Sequence, residues 1–276
     1  MSSSSPVDSL ATLLSRRQVQ SSTVSFQVGE DWQQGRTLFG GLLSALAVQA
    51  MRDVCGSDWP LRALQTSFVG PVAVGSFDVE VTLLRQGKNV RQVQAHIRQA
   101  DDKGNTPTAG VLLAVFGTGR DSALPALTVT QEPVSKTVDE SIQLPFIPGL
   151  TPAFTQHIEF RLADGGFPFT GTDTWLSRTY VRLKASDGVD SELLSVILAD
   201  AGPTPALAQL KGFAPASSVS WALELRPVPD APVDAVWRMD KDALATGEGY
   251  VNERTLLWTP DGRLAGLGYQ VVAVYA

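Results

Sequence analysis

The alternation of apolar and polar positions divides the chain into helix-like and strand-like stretches. From Gly40 to Val54 the apolar residues Leu42, Leu43, Leu46 and Met51 recur at near-helical spacing after a Gly-Gly start, which predicts a helix. The runs that follow, ALQTSFV, SFDVEVTLLRQ, VRQVQAHIRQAD and AGVLLAVFGT, read as strands. DVEVTLL and VQAHIRQ switch sides every residue, as half-buried strands do, and DDKGN between the last two runs predicts a hairpin turn. Ahead of this block, residues 1–8 read as a disordered tail and a weak amphipathic helix is expected after them. Between 119 and 152 prolines recur and periodicity fades, as in a linker.

Beyond the linker the order returns. HIEFRL and TWLSRTYVRLK suggest strands, a helix is expected over about 189–201, and SSVSWALELRPV, DAVWRMD, YVNERTLLWTPDG and RLAGLGYQVVAVYA suggest strands again. LLSALAVQA (42–50) aligns with LLSVILADA (193–201) and FVGPV (68–72) with ELRPV (224–228), at offsets of 151 and 156 residues. Such spacing is too long for a solenoid repeat and suits two like units. The expected organisation is an N-terminal unit over 1–118, a linker over 119–152 and a C-terminal unit over 153–276. A long helix followed by an antiparallel meander has one economical packing, in which the sheet curls around the helix and buries it. Two such units side by side can merge their sheets.

The duplication is broken at one position. Asp200 aligns with Gln49, and on a helix it shares a face with Leu193, Val196 and Ile197. An ionised carboxylate among apolar side chains costs several kcal/mol unless donors are aimed at it, so Asp200 is a candidate for chemistry. The plainer alternative is a polar residue at a helix end that Gly202 and Pro203 terminate. Two more polar residues interrupt strands. Val219, Trp221, Leu223 and Leu225 form one apolar face of SVSWALELR, which puts Ser218 and Ser220 on the other, and Gln270 interrupts GLGYQVVAV. Together Asp200, Ser218 and Gln270 could hold one water, the acid accepting its proton and the other two orienting it.

Composition narrows the field. Among 276 residues, 22 Lys and Arg stand against 28 Asp and Glu, for a net charge of −6, and no basic cluster suggests nucleic acid as a partner. A single cysteine, Cys55, excludes a disulfide within the chain and suits a reducing, cytoplasmic setting. The start of the chain lacks a signal-peptide pattern and no apolar run is long enough to span a membrane. Neither His96 nor His157 reads as a metal ligand or base. No G-x-S-x-G elbow or dinucleotide fingerprint appears, so neither metal nor cofactor is expected.

These segments resemble the type II acyl-CoA thioesterases, double hot-dog proteins of the α+β class, over most of the chain from about residue 22. FGGLLSALAVQA resembles that family's FGG followed by a long apolar helix, and ADAG, SVS followed by RP, and DGRLAGLGYQ resemble the places of its aspartate, hydroxyl residue and glutamine. The resemblance implies an acyl-CoA substrate hydrolysed by direct attack of water, with Asp200 as general base and Ser218, or Ser217 by a one-residue shift, and Gln270 as its partners. Backbone N–H groups at Gly40 and Gly41 are the candidates for binding the developing oxyanion. It also implies possible homo-oligomers formed through sheet edges. Leu223 and Glu224 stand where the family often carries aromatic residues or histidine, which keeps open an acyl-binding module without catalysis. A hot-dog enoyl-CoA hydratase is the third alternative, although neither histidine follows an aspartate closely on a helix.

Overall fold

The structure is a computed structural model that describes residues 7–56 and 58–276. Most of the expected tail lies outside these residues, but Asp8 is held in place. Its N–H donates to Asp31 Oδ2 at 3.0 Å and its carbonyl accepts from Trp32 Nε1 at 2.8 Å.

The N-terminal half runs α1 (Leu10–Ser15), β1 (Gln18–Gln20), β2 (Thr23–Val28), β3 (Gln33–Gln34), β4 (Thr37–Leu38), α2 (Gly40–Cys55), β5 (Leu61–Phe68), β6 (Gly75–Gln86), β7 (Val90–Arg98) and β8 (Thr108–Gly117). The C-terminal half follows with β9 (Ile142–Leu144), β10 (Ile158–Gly165), β11 (Leu176–Leu183), α3 (Ser191–Asp200), β12 (Ala216–Leu225), β13 (Trp237–Gly247), β14 (Tyr250–Trp258) and β15 (Leu264–Val274). Among the described residues thirteen strands form one sheet in the order β1-β2-β6-β7-β8-β5-β12-β15-β14-β13-β11-β10-β9, and β3 and β4 form a separate pair. The halves join where β5 pairs antiparallel with β12, with Thr66 opposite Trp221. This is the expected double hot-dog.

Both central helices are buried because the sheet curls around them. In α3, Leu193, Leu194, Val196, Ile197 and Leu198 are at most 1% exposed, each contributing roughly 1.5–3 kcal/mol by leaving water. Asp190 starts this helix by accepting the N–H groups of Glu192 and Leu193 at 3.0 and 2.8 Å. Gly56 stops α2 in the left-handed region at φ 59°, where a side chain would be strained.

Within the expected linker, β9 pairs with β10 at the sheet margin, Leu144 opposite Phe160, and ahead of β9 the Lys136 carbonyl accepts the Tyr180 hydroxyl at 3.2 Å. Two expectations need correction. His157 precedes its strand, closing the short turn Ala153–His157. Ser218 does not lie on the face opposite Trp221, because the register of β12 slips at Val219: Ser218 pairs with Val272 and Ser220 with Val271. That bulge expels Val219, 42% exposed, and turns Ser218 to the side that Trp221 occupies. The free edges β1 and β9 have three residues each, little strand for pairing between chains.

Candidate active site

Gln270 lies on β15 directly opposite Trp221, on the face turned toward the helices. Its Nε2 donates to Asp200 Oδ1 at 2.9 Å and to Ser218 Oγ at 2.7 Å. One amide nitrogen thus ties the last residue of α3 to the bulged strand β12, and the three candidate side chains converge. The bulge selects Ser218, whereas Ser217 pairs with Ala273 one position away and is exposed.

The first half completes this environment. The Gly41 N–H, at the start of α2, favours the ionised form of the Asp200 carboxyl. A methyl group on Gly40 would stand 3.0 Å from Asp200 Oδ2 and 3.0 Å from the Phe68 ring. On Gly41 it would stand 2.5 Å from the Phe39 ring and 3.1 Å from Asp200 Cβ. The two glycines therefore let the positive end of α2 close on the acid.

Burial pushes the Asp200 carboxyl up to about 6. Lys241, the Gln270 amide and the Gly41 N–H oppose the rise, and Glu253 adds to it. A carboxylate at that value is mostly ionised at neutral pH and can still take up a proton, as a general base must. Among the described residues no cluster of His, Cys, Asp and Glu could hold a metal ion. His157 stacks on Trp32 with ring centroids 3.8 Å apart and its Nε2 3.0 Å from Asp31 Oδ2. His96 sits on β7 between Glu80 and Val111. Burial raises the Cys55 thiol at the end of α2, with Arg91 opposing.

Lys241 and Glu253 escaped the sequence reading. They do carry a signal: Lys241 continues the inward series Trp237, Met239 of β13, and Glu253 the series Val251, Glu253, Thr255, Leu257 of β14.

The join between the halves shows which positions correspond. Outward from the central pair of Thr66 and Trp221, Leu112 and then Ala95 follow on one side, Gln270 and then Glu253 on the other. In the neighbouring row, Gly110, Ile97 and Val79 answer Gly268, Thr255 and Lys241. Gln270, Glu253 and Lys241 thus stand where the first half has Leu112, Ala95 and Val79.

The profile of the acyl-CoA thioesterase N-terminal domain matches residues 28–117, and that of the C-terminal domain matches residues 137–274. The chain belongs to the acyl-CoA thioesterase family. No helix among the described residues of this thioesterase-family protein is long and apolar enough to cross a membrane. Comparison with curated proteins gives no match. Similar solved structures include a conserved protein of unknown function with a hot-dog fold from Alicyclobacillus acidocaldarius, 18% identical, covering 98% of this chain and 99% of that one at a TM-score of 0.83. A putative thioesterase II from Thermobifida fusca is 18% identical over 94% of each chain at 0.78. An acyl-CoA thioesterase II from Mycobacterium marinum is 14% identical, over 96% of this chain and 98% of that one, at 0.71. At these identities the structural likeness concerns the fold.

Proposed function

We propose that the protein hydrolyses an acyl-CoA thioester to the free acid and CoA by direct attack of water, with Asp200 as general base. The observation that carries this reading is the double hydrogen bond from Gln270 Nε2 to Asp200 and Ser218. Because the Ser218 oxygen accepts from Gln270, its own proton is left to donate. A water bound there donates to Asp200 and accepts from Ser218, which aims its remaining lone pair at the thioester carbon. As the oxygen–carbon bond forms, the water proton passes to Asp200. As the carbon–sulfur bond breaks, the departing thiolate takes that proton. The Gly40 and Gly41 N–H groups at the electropositive start of α2 are the donors proposed for the oxyanion. No cofactor enters the scheme, and the cytoplasm is the proposed setting.

A series of acyl-CoAs of increasing chain length, with a thiol-trapping dye, tests the activity. Release of CoA is expected, with Asp200→Asn slower by about 10² to 10⁴ while its circular dichroism matches wild type. Tight binding without CoA release would indicate an acyl-binding module. Addition of water to an enoyl-CoA without release would indicate a hydratase.

A further inference from the structure

Beside the proposed base lies a buried ion pair for which the water-attack scheme has no role. Lys241 Nζ donates to Glu253 Oε1 at 2.9 Å and to the Gly202 carbonyl at 2.8 Å, with side chains 2% and 0% exposed. Gly202 follows the last turn of α3 two residues after Asp200, and Glu253 stands opposite Gln270 in the sheet. The second Glu253 oxygen is buried and has no hydrogen-bond partner among the described residues. Folding alone gives little reason for this arrangement, because desolvating two charges commonly consumes what their attraction returns. The first half shows an apolar solution at the same places, with Val79 and Ala95.

We propose that Lys241 and Glu253 are positioning residues for Asp200: Lys241 anchors the chain just past the acid through the Gly202 carbonyl, and the two opposite charges balance its ionisation. The inference rests on the reading of Asp200 as the base. From β13 the charge acting on Asp200 is Lys241, which favours its carboxylate, and from β14 it is Glu253, which opposes it. From β15 comes the Gln270 amide and from α2 the Gly41 N–H, both favouring the carboxylate against the larger effect of burial. Charge enters the two sides of this balance with opposite signs, and a purely structural pair would not show that.

The test is the pH dependence of kcat/KM for acyl-CoA hydrolysis. Lys241→Met is expected to move the acid limb up by about one pH unit, so that the rate at pH 6 falls severalfold more than the rate at pH 8. Glu253→Gln is expected to move the limb down. Should Lys241→Met fail to fold, Lys241→Val combined with Glu253→Ala copies the first half. Its limb is expected above that of Glu253→Gln, because the two differ by the lysine charge. Limbs that coincide with wild type, or that move the same way in both directions of charge removal, overturn the proposal. Failure of the underlying reading looks different, since Asp200→Asn would then keep the wild-type rate and limb.

Discussion

The two central helices meet twice, and the meetings differ in what occupies the start of each helix. At one, the glycines that open α2 lie against Asp200 at the end of α3, close enough that added methyl groups would crowd the acid. At the other, the duplication places Glu192 in the role of Gly41 and Gln49 in the role of Asp200. Glu192 pairs with Arg52 and accepts the Leu61 N–H at 2.7 Å. Gln49 donates to Asp53 at 2.8 Å, and Asp53 holds Arg17. Every charge named at that second meeting has an opposite partner, and the strand beside it offers Leu112 where the first offers Gln270. One backbone plan, used twice, thus gives a sealed junction and a junction whose carboxylate is tuned by burial and only partly compensated. The fold supplies a scaffold, and the side chains at the meeting supply whatever chemistry it performs.

Exchanging residues between the junctions should break the difference in graded steps. The largest effect is expected from Asp200→Gln, which gives the proposed site the Gln49 side chain: turnover falls by about 10² to 10⁴, read by CoA release. Next is a stability effect. The folded-state value of about 6 exceeds the unfolded value of about 3.9, so between them the folded protein binds more protons than the unfolded chain. Asp200 therefore makes stability fall as pH rises from about 4 to about 6, by about 3 kcal/mol in all. Denaturant titrations across that range should show this component in wild type and its absence in Asp200→Asn. A smaller effect is expected from Gln270→Leu, which copies Leu112 and frees Ser218 and Asp200 from their shared donor. A loss of about tenfold in kcat is expected, since misplacement of about 1 Å costs up to 10²-fold, together with a lower melting temperature at neutral pH, where the buried carboxylate has lost a donor. The smallest belongs to Gln49→Asp, which plants an acid at the sealed junction: no added hydrolysis is expected in an Asp200→Asn background, because Leu112 and Glu192 remain. A gain there would mean that the acid alone makes the site.

Much of this could be read from the chain because its signals are local or repeated. Periodicity marks α2 and α3, and comparing Asp200 with Gln49 exposes the odd carboxylate without any knowledge of its surroundings. Strict alternation picks out Ser218 but puts it on the wrong face, since alternation fails at a bulge that only pairing with β15 reveals. Lys241 and Glu253 are hidden in the sequence for another reason. Charged residues in strands ordinarily face water, and only the packing of β13 and β14 shows that their places in the inward series are real. The closeness of Gly41 to Asp200 joins two positions far apart in sequence, which no spacing pattern contains.

The most direct test of the central claim is the kcat/KM profile of acyl-CoA hydrolysis from pH 4 to pH 9 for wild type and Asp200→Asn. The account predicts that the wild-type rate declines toward tenfold per pH unit below about 6, while the variant is slow at every pH and shows no such decline. An asparagine variant that hydrolyses at the wild-type rate and keeps the same acid limb would contradict it.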